Sequence, residues 1–405
     1  MNVTLFISQR LIGKTEYRFS KPIVRIAITA IALSVCIMLL SLFIIKGFQN
    51  NITNKVIGFN GEIQITHFNQ GKSFETSPLK FTDSLQSSLK SIPQISHYQV
   101  YATKAAIIKT ENDIHGILFK GLGSDMDSTF LSEHIVAGHL PVFSNQQTSN
   151  KILISKYIAN KLDVSTGQRI HLYFIQTPMR VRSLEISGIY HTGVAEYDQV
   201  LVVGDIQHIQ KLNDWQNNQV GGIEISLRSF DELEQMQWSI ASVLPYYLNV
   251  KTVFDQHPQL FDWLELQNIN VRVILILMLI VGAINMITAL FILIMEKTHL
   301  IGTLKALGSS HWAIRSIFLY HSAYLIVRGL LWGNGIAFLL AIVQHVFKII
   351  KLNPETYYMS FIPIKFDWLG WVGINVGTLV ICTLVLIIPS YIISKIKPID
   401  AIRFE

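Results

Sequence analysis

The chain has 405 residues, of which half are hydrophobic and only 15% are charged, and its mean hydropathy is +0.39. This composition is too apolar for an ordinary soluble protein of this length. The overall net charge is +6. Residues 48–270 carry 16 Lys and Arg against 21 Asp and Glu, a net charge of −5, so the rest of the chain carries a net charge of +11. Such a distribution is typical of membrane topology rather than of nucleic-acid binding.

Four long apolar segments predict transmembrane helices, because crossing the hydrocarbon core takes about 20 apolar residues. Three of them contain an uncharged run, at 26–45, 273–295 and 368–393, and the run 316–346 of the remaining one is interrupted only by Arg328 and two histidines. The predicted spans are 26–47, 271–295, 315–346 and 368–393. The first is interpreted as an uncleaved signal anchor, because its apolar stretch is too long for a signal peptide and no cleavage site follows.

Basic residues predict which segments lie in the cytoplasm. Lys and Arg concentrate in the N-terminal segment (1–25), in the loop 296–314 and in the tail 394–405, so these three segments are expected there. Segments 48–270 and 347–367 are then expected outside the cytoplasm. Both cysteines, Cys36 and Cys382, fall within predicted spans, so no disulfide framework is expected in the external segment.

The external segment 48–270 alternates strand-like and helix-like patterns. Strands are predicted at 61–68, 97–110, 114–123 and 221–227, and helices at 79–92 and 231–244. Between about 130 and 205 the chain is predicted to be β-rich, with strand-like segments at 151–164, 168–175 and 182–193. The predicted fold is an integral membrane α-helical protein with a large external α/β domain that contains a β-rich insertion.

Motifs for nucleotide or metal chemistry are absent from the sequence. There is no P-loop, no H-E-x-x-H, no G-x-S-x-G and no Cys pair at metal-ligand spacing. The histidines His115, His134 and His139 are interpreted as surface loop residues. We therefore expect no catalytic residue, no metal site and no cofactor in this chain.

The loop after the second span contains a short amphipathic helix. Leu300, Ile301, Leu304 and Leu307 fall at positions i, i+1, i+4 and i+7, which is one helical face. Because nothing else in this loop is predicted to pack against that face, we expect it to dock into a partner protein. The alternative is a helix that lies on the lipid surface.

Arg328 is the one charged residue well inside a predicted span, and such a residue suggests a functional role. The alternative is that it snorkels or faces a water-filled groove between subunits, with Trp332 as a stacking partner. Two pairs at small-residue spacing also favour close helix packing: Gly329/Gly333 and Gly373/Gly377.

The segment 296–308 resembles the E-K-x-x-E-I-G-x-L-x-A-x-G motif of FtsX/MacB-type ABC transporter permeases. The matching residues are Glu296, Lys297, Ile301, Gly302, Leu304, Ala306, Leu307 and Gly308, while Leu300 stands where the family has a second acidic residue. Segments 45–65, 353–368 and 397–405 resemble the lipoprotein-releasing LolC/LolE group within this family.

The resemblance implies an inner-membrane subunit that is not an enzyme by itself. It implies a second permease chain, in a homodimer or a heterodimer, and a separate LolD-like ATPase that binds ATP and Mg²⁺. It also implies extraction of lipoproteins from membrane lipid and their transfer to a periplasmic chaperone. The alternatives are a MacB-like efflux permease, an FtsX-like regulator of cell-envelope enzymes, and a receptor or scaffold with no transport role.

The resemblance also implies three groups of site residues. The ATPase-coupling residues are Glu296, Lys297, Leu300, Ile301, Leu304, Lys305, Leu307 and Gly308. The lipoprotein-binding residues are Phe43, Gly47, Phe48, Val273, Leu277, Tyr357, Tyr358 and Phe361, with Lys46 and Arg272 near phosphate groups; the alternative is contact with ordinary lipid. A hairpin at 173–186 is expected to contact the chaperone through Gln176, Thr177, Pro178 and Met179. Phe174 is expected to add a second apolar contact beside Met179. Arg180 and Arg182 are expected to attract an acidic rim of the chaperone. An ordinary strand connection is the alternative.

Overall fold

The computed structural model describes residues 20–68, 75–110, 113–353, 357 and 359–395. These residues form two compact units. The membrane unit contains the described residues up to Asn50, Trp263–Lys351 and those from Phe361 onward. The sheet unit contains Asn51–Asp262 and Leu352–Ser360, apart from the residues outside the described ranges.

The described helices, in chain order, are α1 (Ser20–Asn60), α2 (Asp83–Lys90), α3 (Thr129–Glu133), α4 (Lys156–Leu162), α5 (Ala195–Asp198), α6 (Ile206–Leu212), α7 (Leu233–Val243), α8 (Val253–Gln256), α9 (Pro258–Glu296), α10 (Thr298–Ala306), α11 (His311–Phe347), α12 (Trp368–Val385), α13 (Ile387–Ser390) and α14 (Ile392–Lys395). The strands are β1 (Ile63–His67), β2 (Leu79–Lys80), β3 (Ile95–Lys109), β4 (Ile114–Leu122), β5 (Ile135–Gly138), β6 (Lys151–Ser155), β7 (Arg169–Phe174), β8 (Arg180–Tyr190), β9 (Leu201–Asp205), β10 (Gln219–Val220), β11 (Gly222–Leu227) and β12 (Leu248–Thr252).

Four helical segments among the described residues are long and apolar enough to cross a membrane, which confirms the four predicted spans. Polar side chains cap the start of two of them. Ser310 accepts a hydrogen bond from the Ala313 amide at the start of α11, and Asp367 accepts one from the Gly370 amide at the start of α12. These caps satisfy amides that have no partner within the helix itself.

Glycine allows α1 and α11 to pack closely. A Cβ atom on Gly333 would lie 2.7 Å from the Ala32 backbone oxygen, and one on Gly329 would lie 2.6 Å from Ile31 Cγ2. The prediction of close packing at this pair is therefore confirmed. Gly373 and Gly377 have no such neighbour within 4 Å, so the same prediction for that pair is wrong within the described chain.

Ten of the described strands form one mixed sheet in the order β12-β1-β11-β3-β4-β9-β6-β8-β5, in which β7 pairs with β3 and β8. Apolar pairs fix the register of β1: Ile63 lies opposite Ile225 and Ile65 opposite Ile223, and all four are buried. A slip of one residue would turn these side chains to the other face of the sheet. The predicted α/β class is confirmed.

One predicted strand is wrong in part. The segment 151–164 forms β6 only as far as Ser155 and then turns into α4. The Ser155 hydroxyl accepts a hydrogen bond from the Ile158 amide, and Ile158 and Leu162 are buried at helical spacing. Residues 130–205 thus contribute β5 to β9 to the sheet but also contain the short helices α3 to α5.

Candidate functional sites

Most of the apolar face of the connecting helix α10 is packed inside the membrane unit. Ile301 is fully buried in the core cluster of that unit, and Leu304 packs against the same cluster. Leu300 is half-buried. The expectation that this face has nothing in the chain to pack against is therefore wrong, because the ends of the neighbouring helices cover it.

A different surface of α10 is available to a partner. Leu307 is 77% exposed, and Thr303, Ala306 and Gly308 are also exposed. Gly308 has a φ of +83°, a conformation that glycine adopts without strain, and it follows the end of the helix. The exposed surface of Thr303, Ala306, Leu307 and Gly308 is called the α10 surface below.

Polar contacts hold α10 against its surroundings. The Lys305 ammonium donates a hydrogen bond to the Ser394 carbonyl oxygen at 3.1 Å, and partial burial lowers the Lys305 pKa. Glu296 and Lys297 form an ion pair with a distance of 3.3 Å between Oε1 and Nζ. These predicted coupling residues thus lie beside the α10 surface rather than on it.

The predicted acyl-chain residues do not share one environment. Phe43 is buried and contacts the rings of Phe338 and Phe366, with centroids 5.7 and 5.2 Å away. Its ring therefore has almost no exposed surface, and its place in the acyl-chain site stays a prediction. Val273 and Leu277, in contrast, are about half exposed on α9.

The remaining residues of this group also differ from one another. A Cβ atom on Gly47 would lie 2.3 Å from the Pro363 carbonyl oxygen, so Gly47 permits a close backbone approach. Phe48 is half-buried, and the Lys348 ammonium lies 4.3 Å from the centre of the Phe361 ring. Tyr357 belongs to the sheet unit and is 40% exposed, while Tyr358 lies outside the described residues.

The predicted hairpin is present as β7 and β8, which pair antiparallel with Phe174 opposite Arg180. In the connection 175–179, Thr177, Pro178 and Met179 are exposed, and Gln176 donates to the Leu212 carbonyl oxygen at 3.4 Å. Phe174 is fully buried against the Phe119 ring, so its predicted role as an apolar contact is wrong. Strand alternation points this side chain into the core.

The exposed apolar side chains of the connection are Ile175 and Met179. Arg180 is held by the Lys211 carbonyl oxygen at 3.1 Å and by the Asp214 carboxylate at 3.7 Å. The Arg182 guanidinium donates to the Val181 carbonyl oxygen at 3.2 Å. The hairpin therefore presents a small apolar tip with basic side chains at its base.

Arg328 is exposed on α11, and its guanidinium lies 4.7 Å from the centre of the Tyr324 ring. The predicted stacking partner was Trp332, one turn in the other direction, and that prediction is wrong. The reason is the tilt of helical side chains toward the helix N-terminus, which brings Arg328 over the preceding turn.

Sequence reasoning missed a polar network between α11 and α12. The Asn334 amide nitrogen donates to Asn375 Oδ1 at 2.6 Å, and the Trp371 indole donates to Asn334 Oδ1 at 2.5 Å. Hydrogen bonds between amide side chains hold membrane helices together. Asparagine inside two predicted spans was the signal that would have found it.

A second missed feature is a small, mostly apolar cavity in the membrane unit, whose polar lining residues are Glu296, His321 and Ser322. His321 is buried, and neither ring nitrogen has a hydrogen-bond partner among the described residues. Glu296 Oε1 accepts no hydrogen bond there, although it pairs with Lys297. Buried polar groups usually have partners, so His321 is an exception among the described residues.

Within the described residues, no group of three or more His, Cys, Asp or Glu side chains could hold a metal ion. His115 and His134 contact backbone carbonyl oxygens instead, at 2.7 Å from Gln199 and 2.8 Å from Phe130. These contacts give both histidines a structural role in the sheet unit.

Two family profiles match the chain: MacB-like periplasmic core domain over residues 26–243 and FtsX-like permease C-terminal over residues 272–398. The lipoprotein-releasing system transmembrane protein LolC of Xylella fastidiosa is 21% identical in an alignment 400 positions long, gaps included, that covers 94% of this chain and 93% of that protein. LolE of Haemophilus influenzae is 20% identical in an alignment 421 positions long, gaps included, that covers 98% of each chain. The periplasmic region of MacB from Actinobacillus actinomycetemcomitans is 12% identical, covers 49% of this chain and 92% of that structure, and has a TM-score of 0.35.

The two family profiles agree with the arrangement of the elements. The MacB-like profile covers more than half of the chain, including the sheet unit as far as α7, and the FtsX-like profile covers α9 from residue 272 onward and α10 to α14. The residues of the short motif in α10 lie within the second profile. The chain therefore belongs to the FtsX/MacB-type ABC transporter permeases, with similarity to the LolC and LolE members over nearly its whole length.

Proposed function

We propose that this chain is the permease subunit of a transporter that extracts lipoproteins from the inner membrane and passes them to a periplasmic chaperone. The observation that carries the proposal is the similarity to LolC and LolE proteins through both the membrane unit and the sheet unit. Similarity to LolC and LolE in only one of the two units would not distinguish a lipoprotein-releasing permease from other permeases with a similar domain. The energy comes from a separate ATPase subunit that binds ATP and Mg²⁺.

The ATPase subunit contacts the α10 surface in this proposal. An exposed leucine beside glycine and alanine suits a groove of a partner protein, because burial of apolar side chains stabilises such contacts. Ile301 and Leu304 connect the same helix to the membrane core. Displacement of α10 by the ATPase therefore moves the helices against which these two residues pack.

The cargo and the chaperone use other surfaces. Val273 and Leu277 offer exposed apolar side chains to the acyl chains of a lipoprotein, and each buried CH₂ group contributes about 0.8 kcal/mol. The tip of the β7–β8 hairpin, with Ile175 and Met179, receives the chaperone. A second permease chain completes the transporter.

A release assay tests this proposal. The tagged chain is purified from its native membrane with its bound proteins, which mass spectrometry identifies, and is reconstituted with a radiolabelled lipoprotein in proteoliposomes. We expect ATP-dependent transfer of the lipoprotein to a soluble chaperone, and no transfer with a non-hydrolysable ATP analogue. A complex that hydrolyses ATP but retains the lipoprotein under all conditions contradicts lipoprotein release.

A MacB-like efflux function is the second candidate, because the MacB-like profile matches the longer part of the chain. The same purification distinguishes the two functions. An efflux permease co-purifies with a periplasmic adaptor protein and no lipoprotein, whereas a releasing permease retains lipoprotein cargo when ATP is absent.

A further inference from the structure

The Arg328 side chain carries an exposed positive charge on a membrane-crossing helix. It extends back along α11, so that its guanidinium lies over the ring of Tyr324, one turn nearer the start of the helix. Helical side chains tilt in this direction. The charge is therefore displaced toward the membrane face at which α11 begins.

Packing between α1 and α11 gives the depth of this charge. The neighbouring Gly329 contacts Ile31 and the Ile28 backbone oxygen, at 2.6 and 3.3 Å from a Cβ built on the glycine. Arg25 is exposed three residues before Ile28 and immediately precedes the uncharged run of α1. At ~1.5 Å per residue, Arg328 lies about 5–9 Å along the helix from the level of Arg25. Along α1, Arg328 is therefore level with the Arg25 end of the uncharged run 26–45 rather than with its middle, although it is far from both ends of its own predicted span. From this level a long side chain can reach the lipid headgroups.

Among the described residues, Arg328 forms no ion pair with a carboxylate. The four uncharged or nearly uncharged runs, 26–45, 273–295, 316–346 and 368–393, contain no Asp or Glu. An arginine inside a membrane pairs with other groups rather than facing hydrocarbon. A negatively charged lipid headgroup suits this role for Arg328.

The exposed residues around Arg328 are of two kinds, one suited to a lipid headgroup and one suited to acyl chains. Tyr320 is exposed two turns toward the start of α11, where a tyrosine hydroxyl suits the headgroup layer. Val327, Leu331 and Trp332 are exposed beside or beyond Arg328, where their apolar surface suits acyl chains. A guanidinium also forms paired hydrogen bonds with phosphate oxygens.

We propose that this face of α11, formed by Tyr320, Tyr324, Arg328, Leu331 and Trp332, binds an anionic phospholipid through its phosphate group. Tyr324 supports the guanidinium by a cation–π contact, and Arg328 supplies the ionic contact. The site is separate from the α9 residues assigned to cargo. It does not depend on which substrate the transporter handles.

Native mass spectrometry of the purified complex in detergent tests this site with phosphatidylglycerol and phosphatidylcholine of identical acyl chains. The wild type should retain phosphatidylglycerol preferentially. Arg328→Gln should reduce that retention by roughly tenfold or more, the range expected for hydrogen bonds to a charged group, while phosphatidylcholine retention stays the same. Lys161→Gln is the matched control, because Lys161 also lies over a tyrosine ring, 5.8 Å from the centre of Tyr157, but in the sheet unit. It should change neither lipid.

Arg328→Lys keeps the charge without the paired geometry, and it should retain an intermediate amount of phosphatidylglycerol. This variant decides the question if Arg328→Gln does not assemble. If Arg328→Gln assembles and retains as much phosphatidylglycerol as the wild type, the proposal is overturned. If only Arg328→Lys assembles, unchanged retention in that variant overturns it. Loss of the second permease chain from the complex with unchanged lipid retention also overturns it, because Arg328 then contacts an acidic group of that chain.

Discussion

The buried pair of Lys120 and Glu224 joins neighbouring parts of the sheet unit. Their charged atoms lie 2.6 Å apart, and Lys120 also donates to the Phe59 carbonyl oxygen. Both side chains are almost fully buried, so removal of one leaves an uncompensated charge. We predict that Lys120→Met destabilises the sheet unit by about 3–5 kcal/mol. Hydrogen exchange of β4 and β11 amides in the purified full chain measures this loss.

The double variant Lys120→Met with Glu224→Leu provides the control for that prediction. It removes both charges, and replacing a whole buried ion pair by apolar side chains costs far less than breaking it. Protection of β4 and β11 should therefore recover. If the single and the double variant lose the same protection, the packing of Lys120 rather than its charge stabilises the sheet.

A second buried group makes stability depend on pH. His208 lies with its Nε2 2.9 Å from the Ser149 carbonyl oxygen, and burial lowers its pKa below the ordinary value near 6.5, against the raising effect of that hydrogen bond. The unfolded chain therefore takes up a proton at a higher pH than the folded chain. The contribution of neutral His208 is complete above about pH 6.5 and is lost as the pH falls below it.

We predict that the thermal unfolding midpoint of the full chain falls between about pH 7.5 and pH 5.5, and falls less in His208→Gln. Glutamine retains a hydrogen-bond donor for Ser149 but does not titrate. The wild type and the variant are compared at both pH values, so that the contributions of other titrating groups to the shift of the midpoint cancel. An equal fall in the two proteins would show that His208 makes no pH-dependent contribution.

Side-chain environments were the least predictable feature at this scale. Helical spacing identified one apolar face of α10, but it did not indicate that Ile301 would be covered by the chain's own helices. For Phe43 and Phe174, the family resemblance implied contact residues, whereas both rings are buried against other aromatic rings. Periodicity gives the direction of a side chain within its element, and the neighbouring elements decide what it meets.

At the scale of the element, α10 has one face toward the membrane core and another toward solvent. We predict that Leu307→Asp abolishes co-purification of the ATPase without altering the assembly of the membrane unit, because Leu307 is exposed. Leu304→Asp is the matched comparison: it places a carboxylate against the core cluster and should lower the yield of folded chain. Pull-down of the ATPase and size-exclusion chromatography separate the two effects. Normal ATPase capture by Leu307→Asp contradicts docking at the α10 surface.

The β7–β8 hairpin gives a second prediction at this scale. Met179 is 60% exposed at its tip, so Met179→Ser removes apolar surface with little effect on folding. We expect chaperone capture in a pull-down to fall several-fold, since exposed apolar residues often contribute much of a contact. Val142→Ser is the control, because Val142 is also exposed in the sheet unit but lies outside the hairpin. Equal capture by the two variants removes the hairpin from the chaperone site.

Membrane helices were readily predicted from sequence, and short helices between strands were not. The spans are long and nearly free of charge, so their signal does not depend on tertiary context. By contrast, α4 has only seven residues and follows directly after β6, where apolar residues fit both a strand and a helix. The Ser155 cap decides between them, and its hydrogen bond to the Ile158 amide forms only once the helix has started.

At the scale of the whole molecule, the chain order of the elements does not give their order in the sheet. The parallel pairing of β4 with β9 brings together strands that are separated by about 80 residues in sequence, and β7 pairs with both β3 and β8. Such long-range pairs leave no local periodic signal. The sequence predicts an α/β domain between two spans, but the position of each strand depends on contacts distant along the chain.

The exposed apolar surfaces of α9 and α11 lead to a prediction about cargo. Leu277 on α9 and Leu340 on α11 are similarly exposed, at 52% and 46%, but only Leu277 belongs to the proposed acyl-chain site. We predict that a photo-crosslinking residue at position 277 captures lipoprotein in the ATP-free complex and that one at position 340 captures phospholipid only. Addition of ATP and chaperone should decrease the adduct at 277, because the cargo leaves. Equal lipoprotein capture at both positions, or capture at neither, would show that exposed apolar surface on α9 is ordinary lipid contact.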